Sequence, residues 1–213
     1  MAMRTHSFFL LLLLVLATCT AAVATNKPLM PDVSAPGPSS SAAASFLRAS
    51  CAPAHQPETC YNMLLPYADS FHGSLDRVAR TSASLAIDRQ QALTDEIAHL
   101  KLRGTGAGSM TDMTLGSCFD TVSNSGSQAN VTLGRLDDLV AGVKSKKQFD
   151  WEKLLAQDWL YSSASAMYEC ADWIHDAGEA AMSSPVLKEV IAGCTTAAPY
   201  MEIAVDITNS LKF

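Results

Sequence analysis

Four long stretches of this chain repeat apolar residues at the 3.6-residue period of a helix, and strand-type alternation is nearly absent. The first, Ser74–Leu102, carries Leu75, Val78, Leu85, Leu93, Ile97 and Leu100 on one stripe. The second, Thr111–Val143, carries Cys118, Val122, Ala129, Leu133, Leu136, Val140 and Val143. The third, Asp150–Ala181, carries Trp151, Leu155, Trp159, Ala166, Cys170, Trp173 and Ala177, an aromatic stripe that reads as core. The fourth opens on Ser184-Pro185, where Ser suits the cap and Pro the first turn, and runs through Val190, Cys194, Ala197, Met201 and Thr208. Short links between long helices make consecutive helices antiparallel neighbours. The pattern therefore predicts an all-α fold, an up-and-down four-helix bundle over residues 74–213.

The second helix has a weak point. Ser123-Asn124-Ser125-Gly126-Ser127 stacks five poor helix formers, each costing several tenths of a kcal/mol and Gly about 1 relative to Ala. A bend is expected there. The glycine-rich run Gly104–Gly108 ends the first helix and serves as a flexible link.

Ahead of the bundle, residues 43–68 read as a short helical hairpin. Ala43–Ser50 can form one helix, Pro53 and Pro57 interrupt it, and Glu58–Tyr67 can form another. Residues 25–42 hold Pro28, Pro31, Pro36 and Pro38 among Ser, Ala and Gly, the composition of a flexible leader. Residues 1–24 read as a secretory signal. Arg4 and His6 precede the apolar run Phe8–Ala17, and Ala22-Val23-Ala24 supplies small residues for cleavage. That run is too short for a bilayer core of about 30 Å, and no later stretch reads as a span.

Removal of the signal takes Cys19 with it and leaves Cys51, Cys60, Cys118, Cys170 and Cys194. In a secreted chain such a set reads as two bridges and one odd thiol, which leaves about fifteen connectivities open. Cys51 and Cys60 are close enough in sequence for a bend to bring them into bonding range. Cys118 and Cys170 sit on two neighbouring stripes, and a bridge there would lock the second and third helices. Cys194, on the apolar stripe of the fourth helix, reads as a buried small hydrophobe rather than a nucleophile.

The chemistry-bearing residues do not assemble into a catalytic or metal-binding motif. His55, His72, His99 and His175 show no metal-ligand spacing, and the pair His175-Asp176 points in divergent directions on a helix. No nucleophile elbow or phosphate loop is present. No cofactor or metal is expected. The chain has 15 basic and 21 acidic residues without Lys/Arg clusters, which argues against nucleic acid or anionic membranes as partners and favours a basic one. Asn130-Val131-Thr132 is an acceptor sequon for N-glycosylation.

Several segments carry a family resemblance. Phe46-Leu47-Arg48-Ala49-Ser50-Cys51, Pro57-Glu58-Thr59-Cys60-Tyr61 and Leu65-Pro66-Tyr67-Ala68 resemble the N-terminal hairpin of the plant invertase and pectin methylesterase inhibitors. Leu115-Gly116-Ser117-Cys118-Phe119-Asp120 is similar to the family's Leu-x-x-Cys-x-Glu segment, with Asp for Glu. Leu160-Tyr161-Ser162-Ser163-Ala164, then Glu169-Cys170-Ala171-Asp172, resemble its Ser-Ala-Ala and Thr-Cys-x-Asp stretches. The motifs occur in order from about residue 43 onward.

The resemblance implies bridges Cys51–Cys60 and Cys118–Cys170, with Cys194 unpaired. It implies a secreted, non-catalytic protein of the cell wall, monomeric when free, that covers the active-site cleft of a carbohydrate-active enzyme without covalent chemistry. The hairpin segments look more like the pectin methylesterase branch. The Pro-Lys-Phe motif of many invertase inhibitors is absent, although Lys147-Gln148-Phe149 lies near its place. An invertase inhibitor and an extracellular bundle without an enzyme target are the alternatives. Asp120 and Asp172 match acidic positions near the family's interface, with Asn124 and Glu169 as further contacts. Glu169, where the family has Thr, and the polar run Ser123–Ser127 are departures that bear on target choice.

Overall fold

The structure, a computed structural model, describes residues 40–213. The expected signal and most of the expected leader lie outside the described residues. Within the described residues the elements are α1 (Ser41–Cys51), α2 (Pro57–Leu64), a 3-10 helix (Leu65–Phe71), α3 (Leu75–Arg103), α4 (Ser109–Ser125), a 3-10 turn (Gly126–Gln128), α5 (Ala129–Ala141), α6 (Lys146–Asp176), α7 (Glu179–Ser183) and α8 (Pro185–Asn209). No strand occurs among them.

Four rods make the bundle: α3, the broken rod α4–α5, α6 and α8. α3 packs on α4, α5 and α8, and α6 packs on the same three. Rods adjacent in sequence thus lie side by side, as short connections dictate, and the contact of α3 with α8 closes the ring. Ile97, Leu115, Leu136, Leu160, Met167, Ile174, Leu187, Met201 and Ile203 fill the interior. Burying each such side chain contributes about 1.5–3 kcal/mol before conformational entropy is charged against it. Gly193 leaves room for Leu93 of α3, whose Cδ1 would lie 2.6 Å from a Cβ at that position.

Local chemistry sets most helix ends. Ser40 Oγ accepts from the Ala43 amide, so α1 starts two residues ahead of the expected Ala43. Pro66 cannot donate to the carbonyl four residues back, so α2 closes at Leu64 and the chain continues as a 3-10 helix, not as one helix to Tyr67. Ser74 caps α3, and Gly104 ends it at φ 68°, donating its amide to the Leu100 and Lys101 carbonyls. Ser145 Oγ accepts from the Gln148 amide, so α6 begins at Lys146, ahead of the expected Asp150.

The structure differs from the sequence expectation at the end of α6, at Ser184 and in the stripe beyond the expected bend of the second rod. α6 stops at Asp176 rather than Ala181, because Gly178 adopts φ 87°, and α7 follows as a separate turn. Ser184 does not cap α8. Its hydroxyl donates to the Thr105 carbonyl at 3.3 Å and ties the α3–α4 link to the head of α8. The second rod is broken at Gly126–Gln128, and the tighter turn rephases the stripe. Beyond it Thr132, Leu136 and Leu139 are buried, while Val140, expected inside, is exposed.

α8 is long and apolar enough to cross a membrane by length and composition, contrary to the sequence reading that no later stretch is. In the fold its apolar side is packed into the bundle, including Leu187, Cys194, Met201 and Ile207. It also runs through Pro199, which removes one helical donor without ending the helix.

Candidate functional site

The Cys118–Cys170 bridge joins α4 to α6 with their Cα atoms 4.7 Å apart. Both sulfurs are buried. In the chain-entropy picture a crosslink of this separation is worth about 2–4 kcal/mol. It also fixes the two helices side by side, so the residues around it are presented by a stiff pair. Asp120 follows Cys118 by two positions, Asp172 follows Cys170 by two, and Glu169 immediately precedes Cys170. Asp120, Asn124, Glu169 and Asp172 are all exposed. None of these side chains has a hydrogen bond or ion pair among the described residues.

The hairpin holds the second bridge, Cys51–Cys60, with Cα atoms 5.7 Å apart. His55, at the hairpin bend, reaches α8: its amide donates to Asp206 Oδ2 at 2.9 Å and Nδ1 lies 3.0 Å from the same oxygen. Asp206 raises the His55 pKa, first through that hydrogen bond and then through its charge, with a smaller push from Glu202. His72 and His99 are exposed and distant in sequence from this contact, and His175 is exposed at the end of α6. Among the described residues no three His, Cys, Asp or Glu side chains are grouped to hold a metal ion.

Cys194 is a free thiol, wholly buried. Burial, with a smaller contribution from Glu96, pushes it up to about 12. A thiol held protonated in this way is a poor nucleophile. Asn130 is exposed in the first turn of α5, while Thr132 of the same sequon is buried.

The break in the second rod carries a polar clamp that the sequence reading missed. The Gly126 amide turns to the Ser123 and Asn124 carbonyls, which strips the Val122 carbonyl of its helical partner. Buried Gln90 of α3 donates Nε2 to that carbonyl at 3.2 Å and to Ser125 Oγ at 2.6 Å. Trp159 Nε1 of α6 donates to the Ser125 carbonyl at 2.9 Å, and Ser163 Oγ donates to it at 3.4 Å. The available signal was Gln90 itself, a polar residue within an apolar stripe. Beside the clamp lies a polar cleft of about 270 Å³ lined by Asn124, Gln128, Arg135, Asp158 and Ser162. Arg135 is engaged there by Glu152 at 2.6 Å.

The expected aromatic core stripe of α6 divides. Trp159 is 8% exposed, but Trp151 is 57% and Trp173 40% exposed. Trp173 lies beside Met110 and Met113, themselves 67% and 61% exposed, and with Ser117 and Asp176 they line an open groove of about 410 Å³ between α4 and the end of α6. Trp151 and Leu154 line a second surface hollow with Lys146, Lys147 and Asp150.

Charge is distributed unevenly around these grooves. No Lys or Arg occurs between Gly104 and Gly134 or between Leu154 and Leu187. Outside those stretches four acids are paired: Asp137 with Arg80, Glu189 with Arg103, Asp150 with Lys146 and Glu152 with Arg135. On α4, α6 and α7, by contrast, Asp120, Asp158, Glu169, Asp172, Asp176 and Glu179 have no basic partner among the described residues. Asp112 adds to them. The Thr105 amide and then its hydroxyl, both at 2.7 Å, hold its carboxyl below the usual range, so it too is charged.

The arrangement is a stiff, acidic, partly apolar face, and such a face suits docking against another protein. Comparison with known proteins points the same way. The family described as plant invertase/pectin methylesterase inhibitor matches residues 45–202. An uncharacterized protein of Oryza sativa subsp. japonica is 33% identical over 137 residues, which cover 59% of this chain and 58% of the rice protein. No solved structure matches the chain significantly. With the family match extending over most of its length, from α1 into α8, the chain belongs to the plant invertase/pectin methylesterase inhibitor family.

Proposed function

We propose that this protein is a secreted inhibitor of pectin methylesterase, which it blocks by forming a non-covalent complex over the substrate cleft. The family assignment supports a proteinaceous inhibitor of pectin methylesterase or of invertase, and members of the family are inhibitors rather than enzymes. The observation that carries the reading is the crosslinked α4–α6 pair with its unpartnered acids. Asp120, Asn124, Glu169 and Asp172 stand on a surface that the Cys118–Cys170 bridge keeps rigid, so docking costs little ordering entropy. The charges of Asp120, Glu169 and Asp172 are uncompensated within the protein and free to steer a basic target.

The choice of pectin methylesterase over invertase rests on the hairpin motifs and on Phe149. The segment Lys147-Gln148-Phe149 sits where many invertase inhibitors carry Pro-Lys-Phe. Its Phe149 is buried, with its ring 5.8 Å from that of Phe213, and so is spent on packing. Residues 1–24 are read as the export signal, residues 25–42 as a leader and residues 43–213 as the inhibitory domain, delivered to the cell wall. Secretion also makes Asn130 a candidate for glycosylation.

Purified pectin methylesterase and acid invertase, each titrated with this protein, test the reading. Loss of demethylation alone supports it. Loss of sucrose cleavage alone transfers the function to invertase, and full activity of several isoforms of both leaves an extracellular bundle without an enzyme target.

A further inference from the structure

We propose that the groove between α4 and the end of α6 is an anchoring socket, built to take one protruding apolar side chain from an otherwise basic protein surface. The inference rests on the inhibitor reading and adds the chemistry of the partner's contact.

Three large apolar side chains, Met110, Met113 and Trp173, are left open to water at one place. Methionine is flexible and polarisable and moulds itself to an incoming group, and tryptophan is the side chain most often found carrying interface energy. Their backbone frame is fixed. Trp173 lies three residues beyond Cys170, Met113 five before Cys118, and the bridge holds both helices. At the mouth, Thr105 grips Asp112 and Ser184 grips the Thr105 carbonyl, so the end of the bundle is also tied down.

Charge selects the occupant. Asp176 lines the groove, and Asp112, Asp120, Glu169, Asp172 and Glu179 lie on the stretches 109–134 and 154–183 that supply it, which contain no Lys or Arg. Such a rim repels acidic polymer and anionic bilayer and attracts Lys and Arg. An apolar centre within a charged rim is the anatomy of a specific protein interface. The fitting partner presents a Leu, Ile, Met or aromatic tip with basic residues around it.

Two measurements test this. In the first, the enzyme that the protein inhibits is titrated with Trp173→Ala, Met113→Ala and, as a control on the same helix, Tyr161→Ala. Trp173→Ala weakens inhibition roughly tenfold or more, Met113→Ala less, and Tyr161→Ala leaves it unchanged, with all three melting like the parent. Full potency of a folded Trp173→Ala Met113→Ala double variant overturns the socket while leaving the inhibitor reading intact.

The second needs no enzyme, so it reports even where no target is inhibited. The labelled protein is titrated with the peptides Lys-Lys-Leu-Lys-Lys and Lys-Lys-Gly-Lys-Lys while the indole N–H resonance of Trp173 is followed. The Leu peptide shifts that resonance saturably and the Gly peptide does not. No shift, or equal shifts from both peptides, rejects an apolar socket.

Discussion

The thiol of Cys194 on α8 lies 3.5 Å from Sγ of Cys170, the α6 half of the bridge to α4. A free thiol in contact with a disulfide is poised for exchange, yet the thiolate is the attacking species and burial pushes this group up to about 12. The native connectivity is thus protected by desolvation. In denaturant at pH 9 the Cys194 thiolate should attack Cys170 Sγ, form a Cys170–Cys194 bridge and release Cys118 as thiolate. Peptide mapping after acid quench should find that product, and Cys194→Ala should abolish it. In the native protein at pH 7, by contrast, Cys194 should resist alkylation for as long as the fold holds. Rapid labelling under those conditions contradicts the buried, protonated thiol.

The contact between His55 and Asp206 makes the seating of the hairpin depend on pH. Asp206 raises the His55 pKa in the folded state above its ordinary 6.5. A group raised in this way adds stability that is fully present below its unfolded value and lost as pH rises through its folded one. Protection of the 52–56 amides against hydrogen exchange, corrected for intrinsic rates, should therefore be greater at pH 5 than at pH 8. Asp206→Asn should bring the His55 titration back toward the ordinary value and flatten that difference. An unchanged midpoint in this variant excludes Asp206 as the cause.

The clamp at the broken rod should be expensive to cut. Gln90→Leu removes two buried hydrogen bonds, to the Val122 carbonyl and to Ser125 Oγ, at about 0.5–1.5 kcal/mol each, although Ser125 Oγ still donates to that carbonyl at 2.8 Å. Trp159→Phe should cost less, since Ser163 still donates to the Ser125 carbonyl. Urea denaturation of the two variants measures both. A Gln90→Leu protein as stable as the parent shows that water replaces the amide.

Thr208 presents the opposite case. Its hydroxyl is buried in α8 and has no hydrogen-bond partner among the described residues. Thr208→Val should raise stability by about 1 kcal/mol, because a methyl group needs no partner. A lower melting temperature for this variant reveals an interaction of that hydroxyl which the fold does not display.

Inhibition should weaken with salt. Because Asp120, Glu169, Asp172, Asp176 and Glu179 are unpaired and exposed, their attraction for a basic target acts through water and is screened within about 8–10 Å at 0.1–0.15 M ionic strength. The association rate should fall more than the dissociation rate rises. Equal inhibition constants at 20 mM and 500 mM salt remove electrostatic steering from the mechanism.

How far the sequence reached depends on the range of the forces involved. Helix content, the order of the rods and the start at Ser74 follow from periodicity and capping, which act within a few residues, whereas the Ser145 cap placed α6 ahead of the expected Asp150. The weak stretch Ser123–Ser127 was visible for the same reason. Its consequence was not: a three-residue tight turn rotates every later side chain, so Val140 moved out while Thr132 and Leu139 moved in. Gly178 was passed over because nothing local demands that a glycine leave the helix; only the return of the chain into α8 does.

The sequence by itself determined four amphipathic rods, a helical hairpin ahead of them and an acidic surface, since hydrophobic period, proline position and net charge are properties of the string. Only the tertiary structure decided which tryptophan faces water, which carbonyls Gln90 and Trp159 rescue, and which cysteine rests against a bridge. Those outcomes depend on helices distant in the sequence, whose packing chooses one side of a rod to bury and leaves the other exposed.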